Sequence, residues 1–511
     1  MKISANLRTG LRRSRARKRR RAAAAIVLAA ASAVFLLLLR PHAHAGVPRT
    51  AQQPIMGAAA VTTPLPLRWD AQTIARLRAD LRSALAPALA GAGAWSCAVI
   101  AGDGTVLYDD RASQAAVPAS SQKLIVADAA MNVLGSGFRF STLFAAHDVP
   151  QGGNVAGDLW LIGSGDPSLR FGDLRSGAGA LRDAGVRSVA GSVVVDPSAV
   201  AGEEINPLWD ASDSNEDFMT ATSGISIDED TVEFDVTGSA PGSDAAISVV
   251  PKTPLVHYSG SVVSGDGDDV VIAGTAMPNV FRIYGTIPPG VRERFWLPVH
   301  GIPQYAGAVA AASLQDSGIS LNGAPQTGTA PIDARILWQH RSAPVSALVK
   351  HMLVHSDNHY AEQLMRAVGA ANGGAANDRD GIAAEIALLE RQGVATRGLH
   401  LVDGSGLARA NRVSALTLAG VLRSFASAPG ANALYPLLPR GGLDGTLKEY
   451  RFGRAAGRVR AKSGHLSGAS ALAGYVDTRN HGRVVFAFIV NGSPGDPDSA
   501  IVSAVDRIAE R

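Results

Sequence analysis

The chain has 511 residues, 46% of them hydrophobic, enough for two or three packed domains rather than one. Its formal charge of +4 misleads: residues 1–40 hold eleven Lys/Arg and no Asp/Glu, so the remainder carries −7, with no basic stripe for a nucleic acid. A single cysteine, Cys97, rules out an intramolecular disulfide.

In chain order, a cationic run from Arg8 to Arg21 is followed by 18 apolar or small residues, Ala22 to Leu39, and then by Ala43-His44-Ala45 before Gly46. That is the order of an export signal, assigned to residues 1–45; the second reading is an uncleaved signal anchor. Both put the remainder outside the cytoplasm, in the periplasm or on the outer face of the membrane. Any membrane contact is expected only through that anchor. Residues 46–65, rich in Pro, Ala and Thr, read as a linker.

Ala71 to Leu89 has helical periodicity, and Trp95–Ile100 with Thr105–Tyr108 read as a hairpin turned at Gly102-Asp103-Gly104. Cys97 lies in the first strand, as a small buried hydrophobe. After Pro118-Ala119-Ser120-Ser121-Gln122-Lys123, an apolar helix is predicted to end at Leu134 before Gly135. Residues 146–289 change character: short β-rich runs such as Leu159–Ile162, Thr231–Val236 and Ala246–Val250 are punctuated by Gly, Asp and Pro, which reads as a β-rich insertion. Helical patterns return from about 290, two strands follow at Ala469–Val476 and Val484–Val490, and Ser499–Arg511 closes as a helix. Helices with terminal strands predict an α+β fold, a sheet packed against helices.

Three fragments could carry chemistry. Ser120 and Lys123 stand three apart, one helical turn, so an amine can reach the hydroxyl it must deprotonate. A lysine is a base only if its pKa is lowered; burial and a second cation, Lys462, are the expected causes. Lys123 precedes Leu124-Ile125-Val126, so it heads an apolar helix rather than a solvated face. Ser356-Asp357-Asn358 lies between two helical stretches and can present a hydroxyl and an amide to a cleft. Lys462-Ser463-Gly464 precedes an apolar strand; its cation and hydroxyl can grip a carboxylate, and Gly464 lets a substrate backbone come close. Taken alone, each fragment reads as a helix cap or surface turn. What sets two of them apart is scarcity, since the chain has only seven lysines. His351, His355 and His359 fall at i, i+4, i+8, but without His-Glu-x-x-His or an evident acidic ligand they read as solvated or core histidines; no metal and no cofactor is expected.

The ordered triple is a signature of penicillin-binding proteins and β-lactamases. The chain resembles the D-alanyl-D-alanine carboxypeptidase/endopeptidase group of class C low-molecular-mass penicillin-binding proteins over about residues 66–511. Gly157–Pro167, Ser223–Asp228, Thr231–Glu233, Asp403–Leu407 with Arg409, Asn411 and Arg412, and Asp444–Leu447 resemble family segments in family order. Ser120 and Ser356 are 236 residues apart, a gap that family members fill with extra domains.

The resemblance implies a penicillin-binding-protein/β-lactamase-like fold with an antiparallel sheet and helices. It splits the chain into a discontinuous peptidase domain, 66–145 and 290–511, and an inserted domain, 146–289. It implies peptidoglycan stem peptides as substrate and β-lactams as covalent inhibitors. Ser120 would be the nucleophile, Lys123 its base, Ser356 the proton relay to the leaving D-Ala, and Asn358 the holder of the acyl-side amide. Lys462 and Ser463 would meet the terminal carboxylate, and the N–H groups of Ser120 and His465 would form the oxyanion hole. Ser121, Ser463 and His465 depart from the usual threonines or serine, which leaves the substrate-binding contribution of His465 to its backbone. A β-lactamase or esterase of the same fold, a zinc peptidase on the His351 face and a non-catalytic wall-binding protein are the rival readings.

Overall fold

A five-stranded antiparallel sheet joins residues from both ends of the chain. Its order is Val106–Asp110, Ala94–Ala101, Arg483–Asn491, Ala469–Asp477, Val459–Leu466. The structure, a computed structural model, describes residues 67–427 and 434–511; the expected leader and linker lie outside them. Among the described residues no helix is long and apolar enough to cross a membrane.

The sheet is buried on both faces, so its strands read as continuous apolar runs although their side chains alternate. Ala98, Ile100, Ala471, Ala473, Tyr475, Ala487 and Ile489 share one core with the helices Lys123–Ala129, Val345–His355, Asn358–Ala371, Asp378–Arg391 and Ala415–Ser427. Alanines on this face let the segment around Ser120 lie close to the strands. The alternate residues, Cys97, Val99, Leu472, Val476, Phe486 and Phe488, form a second core under the helices Ala71–Leu89 and Pro497–Ala509. The first of these helices is capped by Asp70, which accepts from the Thr73 N–H at 2.7 Å, and it buries Leu77, Leu81, Leu85 and Ala88 in one stripe. Truncating Phe486 or Phe488 to Ala would cost about 3–5 kcal/mol. Cys97 is fully buried here, and burial pushes its thiol pKa up, as befits a packing residue.

The intervening block has its own core. A mixed sheet runs Gln326–Thr327, Val193–Asp196, Leu159–Ile162, Ser141–Ala146, Arg335–Arg341, with the helices Phe171–Asp183 and Ile302–Asp316. Phe144, Leu161, Leu174, Val195, Tyr305 and Val309 meet in one cluster. Packing therefore carries this block beyond 146–289, taking in Ser141–Ala146 at the front and residues through Arg341 at the back. Composition hid this because the Ile302–Asp316 helix and the Arg335–Arg341 strand are partners of strands more than 100 residues earlier. The Phe171–Asp183 helix was equally hidden by Gly172, Gly177 and Gly179, poor helix formers. At Gly177 the absent side chain has a purpose: a Cβ would sit 3.0 Å from the Trp338 ring. A smaller all-β part, with Thr231–Thr237 between Ala246–Val250 and Arg292–Pro298, packs around Val236, Val262, Ile283 and Ile287.

Candidate active site

Ser120 sits in a 3₁₀ turn, Ala119–Gln122, that runs directly into the Lys123–Ala129 helix. Ala119 has φ +48°, an uncommon left-handed conformation for a residue with a side chain, at the position just before the hydroxyl. Two contacts hold this turn. The Asn491 side chain bonds both the N–H and the carbonyl of Val117, at 2.8 and 3.1 Å. The edge strand Val459–Leu466 lies against it at Gly464, where a Cβ would stand 2.5 Å from the Pro118 carbonyl oxygen and 3.0 Å from the Ser120 nitrogen. The glycine was expected to admit a substrate backbone; the backbone it admits here is that of the Ser120 turn itself.

Lys123 is completely buried, and its Nζ contacts three oxygens: Ser120 Oγ at 3.0 Å, Asn358 Oδ1 at 2.7 Å and the Ser405 carbonyl at 2.8 Å. Two of these can only accept. An amine with two hydrogens must give them to Asn358 and Ser405, so its lone pair faces Ser120, the one partner with a proton to yield. Burial lowers the Lys123 pKa to about 8, against the opposing pull of Glu362, Asp403 and Asp357. Of the two causes expected for that shift, burial acts; the second cation, Lys462, does not contribute to it. Lys462, also fully buried, is itself driven well down, by burial and then by the charge of Lys123. Two ammonium groups cannot share this site cheaply, and Lys462, whose Nζ donates to the Ser463 carbonyl at 2.6 Å, has no carboxylate among the causes of its shift.

Asn358 opens the Asn358–Ala371 helix, after its N-cap Asp357 accepts from the Tyr360 N–H at 3.0 Å. Its Nδ2 donates to the Phe218 carbonyl at 3.0 Å, so one of its two amide hydrogens goes to the inserted block. Ser356 caps the preceding helix in the left-handed conformation, φ +61°, and is not one of the three partners of Lys123 Nζ. Ser463 is buried inside the edge strand, not in a turn before it, and donates to Thr446 Oγ1 at 3.0 Å. The His465 ring turns to Tyr450 (3.1 Å) and Asp498 (2.9 Å). The three spaced histidines do not share a helical face: His351 and His355 end one helix, and His359 begins the next.

Several supporting residues carried no chemical label in the sequence. The loop from Asp403 to Ala408 supplies the Ser405 carbonyl. Glu362 holds it by accepting from the Gly404 and Ser405 N–H groups at 2.9 and 2.7 Å, and burial pushes this carboxyl up to about 8. Asp403 accepts from the N–H groups of Gly406 and Ala408, from Asn411 Nδ2 and from Trp209 Nε1, all at 2.7–2.9 Å. Gln122 donates to the Asp403 carbonyl, tying this loop to the turn that carries Ser120. The Asp403–Leu407 segment stood out by resemblance, but a backbone acceptor has no signature of its own.

A half-buried serine beside a fully buried lysine, with an asparagine on the lysine and the edge strand of an antiparallel sheet behind, is the arrangement of a serine hydrolase of the acyl-transfer type. Residues 77–511 match the D-Ala-D-Ala carboxypeptidase 3 (S13) family. The D-alanyl-D-alanine carboxypeptidase of Actinomadura sp. (strain R39) is 32% identical over 458 residues, which cover 86% of this chain and 85% of that one. The crystal structure of penicillin binding protein 4 (dacB) from Haemophilus influenzae is similar with a TM-score of 0.72 at 27% identity, covering 84% of this chain and 97% of that one. The structure of that protein complexed with a β-lactam matches over the same shares, at 0.67 and 26%. The chain belongs to the D-Ala-D-Ala carboxypeptidase 3 (S13) family and has the fold of the penicillin-binding proteins. It is a serine-type D-Ala-D-Ala carboxypeptidase.

Proposed function

We propose that this enzyme, exported beyond the cytoplasmic membrane, removes the terminal D-Ala from peptidoglycan stem peptides through an ester on Ser120. The observation that carries the assignment is the threefold contact of Lys123 Nζ, which aims its lone pair at Ser120 Oγ. Lys123 takes the hydroxyl proton as Oγ attacks the carbonyl carbon of the penultimate D-Ala. The N–H groups of Ser120 and His465 meet the oxyanion, each such donor being worth about 2.7–4 kcal/mol of barrier. The C–N bond breaks as the departing amine receives a proton relayed by the Ser356 hydroxyl. Asn358 holds the acyl-side amide with its second hydrogen, and Ser463 with Lys462 meets the terminal carboxylate. Water then attacks the ester and gives a proton to Lys123, which passes it to Ser120 Oγ as the Oγ–acyl bond breaks and the free acid leaves.

The same ester forms when the leaving amine belongs to a neighbouring stem peptide, so cross-links that follow a D-Ala carbonyl are within reach of this chemistry. A β-lactam opens on Ser120 in the same way and leaves slowly. Labelling by a fluorescent penicillin, followed by mass analysis of a muropeptide digest, tests both statements. Ser120→Ala is expected to abolish label and digestion together; a variant that still labels would refute the assignment of the nucleophile.

A further inference from the structure

A cavity of about 570 Å³ is lined by Ser356 and Asn358 but does not include Ser120 or Lys123 in its lining. Its walls come from both the helical region and the inserted block. Glu229 and Asp357 from this lining meet His351, which lies outside it, with one ligand atom from each within 4.8 Å of the others. His351 Nε2 stands 3.3 Å from Asp357 Oδ2. Arg170 engages Glu229 Oε1 at 2.7 Å, and the same carboxyl is within hydrogen-bond reach of Asp357, so two acids crowd together here. The cavity lining holds Asp217, Asp228, Glu229, Glu233 and Asp357; Arg170 pairs with Glu229, and Arg294 with Glu233.

A second feature points the same way. His359 is buried to within 1% and lines the same cavity. Its Nδ1 is 2.9 Å from the Ala221 carbonyl, which fixes the hydrogen on that nitrogen; Nε2 keeps a lone pair and has no hydrogen-bond partner. An imidazole held by a backbone carbonyl with its other nitrogen bare is the arrangement that metal-binding histidines adopt.

We propose that Glu229, His351 and Asp357 form a divalent-cation site matched to Zn²⁺, with His359 behind them. One imidazole nitrogen and two carboxylate oxygens suit this borderline ion better than Ca²⁺ or Mg²⁺, which favour all-oxygen shells, and the cavity leaves room for a completing water. The ion neutralises two crowded carboxylates. It also bridges parts of the chain: Glu229 belongs to the inserted block, while His351 and Asp357 flank Ser356. Occupancy therefore fixes the turn that carries Ser356, and the ion acts as a clamp rather than as the hydrolytic metal of a zinc peptidase.

The test uses the full tag-free chain after dialysis against a chelator. Calorimetric titration with Zn²⁺, and with Co²⁺ followed by visible absorption, is expected to give one ion per chain and a rise in melting temperature. His351→Ala and the milder Glu229→Gln are each expected to weaken binding at least tenfold, about the scale of losing even an outer partner of a metal ligand. Circular dichroism shows that the variants are folded, and Glu229→Gln decides the matter if the alanine variant is not. Binding below one equivalent in the unmutated chain, or affinity unchanged in Glu229→Gln, overturns the proposal. Neither readout involves turnover, so failure here leaves the Ser120 assignment standing.

Discussion

Gly464→Ala places the smallest perturbation where the site is tightest. The new Cβ would lie 2.5 Å from the Pro118 oxygen, 2.8 Å from the Ser121 nitrogen and 3.0 Å from the Ser120 nitrogen. Ordinary contact begins at 3.4 Å, so the edge strand or the Ser120 turn must give way by about 0.9 Å. Nothing flexible stands between them, because all three neighbours are main-chain atoms of the turn that carries the nucleophile. That turn is pinned on its other side by Asn491 and by Gln122, so the strand is the part that moves, and with it Lys462, Ser463 and the His465 N–H. A misplacement of about 1 Å typically costs about a hundredfold in rate, equivalent to about 2.7 kcal/mol. The assay is the second-order rate of acylation by a fluorescent penicillin, with the melting temperature as a check on folding. Acylation within threefold of the unmutated enzyme, in a folded variant, would refute the claim that this glycine sets the distance between strand and nucleophile.

Because Lys123 must be neutral to accept a proton and its pKa is lowered to about 8, acylation should rise about tenfold per pH unit below that value and level off above it; a flat profile from pH 6 to 9 would exclude Lys123 as the base. Asn358→Asp puts a carboxylate 2.7 Å from that amine, which should raise its pKa by about 1–3 units and carry the rising limb of the profile with it, a shift absent in Asn358→Ala. Glu385 is fully buried, neither of its oxygens has a hydrogen-bond partner, and burial followed by the charges of Glu362, Asp403 and Asp128 drives its pKa well up. Glu385→Met should stabilise the protein by about 1–3 kcal/mol or more at pH 7. Above the unfolded value of 4.5 the unfolded chain binds fewer protons than the folded one, so the unmutated protein loses stability as pH rises and the gap in urea midpoints should be wider at pH 7 than at pH 4; equal gaps would show that the carboxyl does not fold in its protonated form.

The parts of the site legible in the sequence are those whose identity lies in a side chain near a partner in the chain. Ser120 and Lys123 belong to one turn, and the lysine heads an apolar helix, so spacing and hydropathy both marked them. Apolar runs likewise marked the central strands and most helices to within a few residues. What escaped notice is set by distance along the chain. The Ser405 carbonyl reaches Lys123 across 282 residues, Phe218 reaches Asn358 across 140, and Trp209 reaches Asp403 across 194. Two of these three contacts are made by main-chain carbonyls, which every residue possesses, so no residue type could announce them. Gly464 was singled out as a point of close approach, but which backbone approaches depends on a strand pairing that only the fold supplies.

These long-range contacts change what the inserted block is for. A lysine base needs acceptors that leave its lone pair aimed at the serine, and Asn358 provides one only while Oδ1 faces it. Rotated by half a turn, the amide would present its NH₂ group to the lysine and the two donors would repel. The Phe218 carbonyl, by accepting from Nδ2, fixes the rotation that serves the base. Trp209 does the corresponding work for the loop that supplies the Ser405 carbonyl, through its bond to Asp403. The helix that begins at Asn358 is held again by the Ala221 carbonyl at His359, the Ser223 carbonyl at Gln363 and the Glu203 carbonyl at Arg366. Both carbonyl-type acceptors of Lys123 are thus oriented by residues between 203 and 223, a segment that contributes no nucleophile, no base and no relay. Residues 203–223 therefore set the direction of both acceptors, and Lys123 owes its orientation to a part of the chain outside its own three contacts.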